Sequence, residues 1–278
     1  MEKVKKMVLI GASGFVGSAL LNEALNRGFE VTAVVRHPEK IKIENEHLKV
    51  KKADVSSLDE ICEVCKGADA VISAFNPGWN NPNIYDETIK VYLTIIDGVK
   101  KAGVNRFLMV GGAGSLFIAP GLRLMDSGEV PENILPGVKA LGEFYLNFLM
   151  KEKEIDWVFF SPAADMRPGV RTGRYRLGKD DMIVDIVGNS HISVEDYAAA
   201  MIDELEHPQR RACLHAARGP DRPRDHSRAV SAREQAAVGA RLRVRRRRES
   251  EHDAARARRA RASGACLLYT SDAADDKA

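Results

Sequence analysis

"MVLIGASGFVGSAL", residues Met7 to Leu20, decides how the rest of the chain is read. Met7 to Ile10 is apolar throughout and too short for a helix, the pattern of a central strand buried on both faces of a parallel sheet. Gly11, Gly14 and Gly17 follow at intervals of three, and a helical pattern with Val16, Ala19, Leu20 and Leu25 apolar runs from Phe15 to Arg27. A strand, a glycine-rich turn and a helix in that order place free N–H groups where a phosphate can sit, and glycine lets the backbone approach it. The spacing is G-x-x-G-x-x-G rather than G-x-G-x-x-G, so the trio alone also fits an ordinary tight turn. Its position after an N-terminal strand and before an amphipathic helix favours a dinucleotide.

A second strand, Val31 to Val35, ends at Arg36, 19 residues beyond Gly17. Dinucleotide folds place the ribose-recognising residue about 20 positions past the glycines. An acid there accepts the 2′-hydroxyl of NAD, whereas a guanidinium offers a planar fork to a 2′-phosphate. The expected cofactor is therefore NADP, with NAD second, although Arg36 also fits a plain surface arginine. Leu48 to Ala53 reads as a third strand ending at Asp54, and Ser57 with Glu60 as a capping box. The fourth strand, Ala70 to Ser73, runs into the Pro/Asn/Gly-rich "AFNPGWNNPN", where Phe75 stands either near a nicotinamide or in the core. A helix from Ile84 to Lys101 and a fifth strand from Arg106 to Val110 continue the alternation. Strands alternating with helices predict an α/β, doubly wound parallel sheet.

Composition divides the chain in two. Residues 209–278 hold 17 Arg, one Lys and nine acidic residues, a net charge of +9, against −6 for residues 1–208. The second part has no Phe, Ile, Met, Trp or Asn, so it can bury little of its own. It reads as a basic arm for nucleic acid, as a disordered tail, or as sequence foreign to the protein. The last reading is favoured: Cys266 to Asp276, "CLLYTSDAADD", resembles translated sequencing-adapter DNA, and "AARARRARAS" resembles GC-rich DNA read out of frame. The expected domain is thus residues 1–208, and nucleic acid is not an expected partner. Glu2 to Lys6 is too charged for a targeting signal and no stretch reaches the roughly 20 apolar residues of a membrane span, which points to the cytoplasm. Cys62 and Cys65 form C-x-x-C inside a helical pattern with no second pair, so no metal site is expected.

Later blocks carry a resemblance. "GVNRFLMVGGAGSL" (103–116), "SPAADMRPGVRTGRYRLG" (161–178) and "GNSHISVEDYAAAMIDELEHP" (188–208), with "LIGASGFVGS", resemble the atypical short-chain dehydrogenase/reductases, and within them the small NAD(P)H-binding group that is NmrA-like and biliverdin-reductase-B-like. The resemblance covers about residues 3–208. It implies a single Rossmann-type domain with a small substrate-side lobe and a cofactor across the carboxyl ends of the strands. By matching positions, Gly11, Ser13, Gly14, Phe15, Val16 and Gly17 line the phosphates, Arg36 meets the 2′-phosphate, and Asp54 and Val55 flank the adenine. Ser73, Ala74 and Phe75 border the nicotinamide ribose. Ser161, Pro162 and Ala163, after a sixth strand Asp156 to Phe160, close the nicotinamide side.

The family's extended members carry Tyr-x-x-x-Lys with Glu four residues later. Lys139 and Glu143 keep that spacing, but the tyrosine position is Leu135. A positioned proton donor typically contributes about 10²- to 10⁴-fold in rate, so this departure argues against ordinary ketone or alcohol chemistry. Ser115, Tyr85 and Tyr145 are the hydroxyls that could substitute, Tyr145 the worst placed around its helix. Lys139 either binds the nicotinamide ribose or faces water. Asp165, Met166 and Arg167 are expected near the pocket, and "TGRYRLG" and "MIVDIVGNSHIS" to supply two strands. Ser193 and Asp196 read as the cap of a final helix, Val194 to Glu206. Family members continue into one more strand, whereas this chain turns arginine-rich, so an incomplete sheet edge is expected. Two functions fit: an NADP-dependent reductase of a conjugated small-molecule acceptor such as a flavin or quinone, or a non-catalytic NADP-sensing regulator with a protein partner.

Overall fold

In the computed structural model, which describes residues 5–208 and 212–218, the chain alternates between strand and helix as its apolar pattern dictates. β1 (Lys6–Ile10), α1 (Phe15–Asn26), β2 (Glu30–Val35), β3 (Leu48–Lys52), α2 (Leu58–Cys65), β4 (Ala70–Ser73), α3 (Ile84–Lys101) and β5 (Arg106–Val110) come first. A hairpin of β6 (Phe117–Ala119) and β7 (Leu122–Arg123) precedes α4 (Leu135–Asn147). Then come β8 (Asp156–Pro162), β9 (Asp165–Arg167), β10 (Tyr175–Gly178), β11 (His191–Ser193), α5 (Val194–Glu206) and β12 (Ala212–Arg218).

Eight of these strands form one sheet in the order β10-β12-β8-β5-β4-β1-β2-β3. All pairings are parallel except that of β10 with β12. Each central strand feeds two cores because alternate side chains face opposite ways. Met7 and Leu9 join the layer under α1 and α5, and Val8 and Ile10 the layer under α2, α3 and α4. Phe159 and Phe160 divide in the same way on β8. This is the doubly wound Rossmann-like arrangement, and the chain reverses direction across the sheet between β1 and β4, where open α/β sheets hold ligands.

A smaller lobe stands beside the carboxyl ends. The β6–β7 hairpin joins residues 180–182 through Phe117, whose N–H donates to Asp180 O while Met182 N–H donates to Phe117 O. β9 and β11 form a separate parallel pair that leads into α5. Among the described residues no helix is long and apolar enough to cross a membrane.

The expected open sheet edge is overturned. β12 pairs in parallel with β8, Leu214 opposite Phe160, and antiparallel with β10, Gly178 opposite His215. It therefore lies inside the sheet, and residues 212–218 of the arginine-rich segment belong to the fold. Small Ala216 and Ala217, buried in the α1/α5 layer, let the strand fit there. The remaining tail readings fall outside the described residues. Two smaller differences concern strand ends: the third strand stops at Lys52, and β8 runs on through Ser161 and Pro162.

Candidate cofactor site

The glycine turn is shaped by close approach. β1 and β4 are neighbours with Ile10 opposite Ser73, and Ala74 N–H donates to Ile10 O at 2.9 Å. Gly11 has φ +79°, and a Cβ there would lie 2.7 Å from Ala74 O. A Cβ on Gly17 would lie 2.0 Å from Gly11 O, inside any permitted contact, and one on Gly14 3.3 Å from the same oxygen. The trio thus lets α1 sit down on its own turn while the turn sits against the end of β4.

The start of α1 differs from those of two other helices. Ser57 caps α2 and Ser193 caps α5, each with its side chain accepting an N–H from three residues on and with acids in the first turn. α1 begins after Gly14 with no side-chain cap and no acid. First-turn N–H groups have no acceptor within their own helix, and the helix dipole favours an anion beside them. With the closely packed turn, this arrangement fits a cofactor pyrophosphate. Ser13 and half-exposed Phe15 are at the opening of the cradle, and Val16 is partly buried behind it.

Where the adenine is expected, Arg36 is exposed just past β2 and makes no salt bridge among the described residues. Asp54 follows β3, and its Oδ1 accepts Ser56 N–H at 2.9 Å and Ser56 Oγ–H at 2.7 Å. Those bonds, backbone first, hold its carboxyl below the ordinary carboxylate range, and the Arg36 charge adds to the effect. The acid is occupied locally while the guanidinium stays open to a ligand. Val55 is buried. The capping box is half formed: Ser57 Oγ accepts Glu60 N–H, but the Glu60 carboxylate accepts Asp54 N–H at 2.8 Å instead of reaching back to Ser57.

On the nicotinamide side, Ser73 is buried while Ala74 and Phe75 are half-buried. Phe75 is held by Tyr92, whose hydroxyl donates to Phe75 O at 2.9 Å and whose ring meets the Phe75 ring nearly edge-on at 5.8 Å. Burial pushes the Tyr92 phenol pKa up, so it stays a donor. Tyr92 was not a candidate from sequence; its place on the buried face of α3 gave no sign that its hydroxyl fixes this loop. Ser161 and Ala163 are buried and Pro162 half-buried. They meet the end of β5, where Gly111 N–H donates to Phe160 O at 2.8 Å.

The candidate proton donors are all committed elsewhere. Ser115 is buried; its Oγ–H donates to Gly112 O at 3.2 Å, and its carbonyl accepts the Arg123 guanidinium. Tyr85 donates to the Glu143 carboxylate across the α3–α4 seam, which raises its pKa and makes it a weaker acid. Tyr145 is buried, stacked on Phe159 at 4.7 Å, with its hydroxyl 3.5 Å from Asp180 Oδ1. Leu135 is the first residue of α4 and is half-buried. Lys139, one turn later, is half-buried and makes no hydrogen bond or ion pair among the described residues. Cys62 and Cys65 are free and buried, burial first and then the neighbouring thiol pushing Cys65 up to about 12. No cluster of metal-ligating side chains occurs among the described residues.

Known proteins agree with this geometry. The NAD(P)H-binding family model matches residues 11–208. A solved structure from Bacteroides thetaiotaomicron, provisionally named an epimerase, is 89% identical with a TM-score of 0.75, covering 80% of this chain and 100% of that one. The uncharacterised YwnB of Bacillus subtilis is 42% identical over 207 residues, 73% of this chain and 93% of that protein. A Streptococcus pneumoniae structure provisionally named an NADH-flavin reductase is 32% identical with a TM-score of 0.65, covering 77% of this chain and 99% of its own. With the glycine cradle, the uncapped helix and the switch point in place, the chain belongs to the NAD(P)H-binding family.

Proposed function

We propose that this protein is an NADP-dependent reductase of a conjugated acceptor, of which a flavin or quinone is the model. The observation that carries the reading is the state of the hydroxyls. The glycine turn packs closely under an α1 that has no side-chain cap, whereas Ser115, Tyr85 and Tyr145 give their protons to protein acceptors and Leu135 has none to give. When bound, NADPH supplies a hydride from its nicotinamide ring. Conjugated acceptors take that hydride without a positioned enzyme acid, and solvent supplies the single proton that completes a two-electron reduction. The chain's own part is to hold and orient: Gly11 to Gly17 receive the pyrophosphate, Arg36 the 2′-phosphate, and Lys139, which has no partner among the described residues, the ribose. Tyr92 keeps Phe75 at the ribose edge. The provisional name of the Streptococcus relative, NADH-flavin reductase, supports the flavin acceptor though it names the other nicotinamide cofactor.

The test is NADPH oxidation with FMN, riboflavin and menadione, beside equilibrium binding of NADPH and NADH. Turnover with at least one acceptor and tighter NADPH binding are expected. Tight NADPH binding with no turnover across the panel would refute the reductase and favour an NADP-sensing regulator.

A further inference from the structure

Trp79 is 49% exposed, and the chain has only two tryptophans. The other, Trp157, is buried at 6%. Trp79 sits in the loop after β4, four residues beyond Phe75 and on the rim that carries the contact between Gly11 and Ala74.

The loop holds the indole in place. Gly78 N–H donates to Asn76 Oδ1 at 2.7 Å, Asn83 N–H to Asn81 Oδ1 at 2.9 Å, and the Asn81 amide to Glu87 Oε2 at 2.6 Å. The far edge of the ring rests on the first turn of α4. A Cβ on Gly137 would lie 2.9 Å from Trp79 Cζ3 and 2.7 Å from Ile84 Cδ1, so only glycine leaves room for the ring. Gly137 is two residues past Leu135. One helix turn therefore has an apolar residue, Leu135, and a glycine that seats an aromatic ring. The Tyr85 to Glu143 bond closes the α3–α4 seam beside it.

A large aromatic ring with half its surface uncovered, fixed by its own loop at the mouth of a ligand site, is an arrangement for stacking. We infer that Trp79 is the platform on which the planar ring of the acceptor lies, and that the second substrate is a fused aromatic ring of isoalloxazine type. This inference rests on the reductase reading above. It adds the residue that selects the acceptor.

FMN is the probe, with NADP⁺ present so that no turnover occurs. Wild-type protein is expected to quench flavin emission as the ring stacks on indole. Trp79→Ala is expected to weaken FMN binding by about two- to tenfold, the range of an aromatic pair, and to raise the KM for FMN by the same factor in a separate assay with NADPH, with NADPH affinity unchanged. Trp79→Phe keeps a ring and is expected to restore most of the affinity with less quenching. Equal FMN affinity in Trp79→Ala and wild type, or no change in flavin emission with wild type, would overturn the platform. Stacking that depends on Trp79 without any NADPH oxidation would instead refute the reductase reading and leave the platform standing.

Discussion

Arg36 is an exposed guanidinium that makes no salt bridge among the described residues, while its neighbour Asp54 is turned onto Ser56. Replacing Arg36 with Asp puts a hydroxyl acceptor in place of the proposed 2′-phosphate partner. NADPH affinity is expected to fall about 10- to 100-fold, the worth of a charge-assisted pair, and NADH affinity to hold or rise; calorimetric titration of both cofactors checks it. Gly17 answers a steric question in the same turn. A methyl group 2.0 Å from Gly11 O must push α1 off the turn. Gly17→Ala is expected to cost about 1–3 kcal/mol, as overpacking does, and to abolish NADPH binding, read by thermal melts with and without cofactor. The glycine positions were legible in the sequence, but the reason for each was not. Spacing alone also fits an ordinary tight turn; the atoms facing each missing Cβ show how closely α1, the turn and the end of β4 pack.

Among the elements, α1 and α5 are tied by a charge network. Arg27 bonds Glu23, Asp203 and Glu206, and Arg171 reaches Glu23 from the strand-free segment before β10. Burial alone would raise the Glu23 carboxyl; the hydrogen bonds from Arg171 and Arg27 outweigh it and hold the group below its ordinary 4.5. A depressed carboxylate adds stability that is complete above the unfolded pKa and is lost as pH falls through the folded one. Wild type is therefore expected to exceed Glu23→Gln in urea stability at pH 7. The gap should close progressively as pH drops below about 4.5, and urea melts from pH 3 to 7 measure it. The same segment is strapped by Asp196, which accepts Thr172 N–H and Gly173 N–H at 2.7 Å each. Strands and helices were legible because period-2 and period-3.6 patterns report burial directly. The partners in these ties were not, because ion pairs between residues 23, 27, 171, 203 and 206 depend on how distant elements pack. Tyr85 illustrates the gap: in the sequence it is a free candidate hydroxyl, and only the neighbouring helix shows that its proton belongs to Glu143.

For the whole molecule the decisive strand is β12. Composition placed it in a foreign tail because arginines dominate the average after residue 209. A seven-residue strand with small apolar residues leaves little trace in such an average. His215 shows how deeply it is embedded: its Nδ1 accepts Ile183 N–H at 3.1 Å, and burial first of all pushes its pKa down to about 4. A chain ended at residue 208 loses the pairings to both β8 and β10. Its Tm is expected to fall by about 10 °C or more, since each kcal/mol shifts a domain of this size by about 2–4 °C. Calorimetry of chains ended at 208 and at 218 tests this, and equal melting would count against it.

The position of β12 also sets an order of assembly. β10 is made well before β12, yet β12 is its neighbour in the sheet. During synthesis the strands from β1 to β8 can pair as they emerge, because each has a sheet neighbour already made or next in line. β10 has to wait for this neighbour until β12 leaves the ribosome. Among the described strands the β8–β12–β10 side of the sheet is thus the last to close, and a stall before β12 emerges leaves the glycine turn formed on an unfinished sheet.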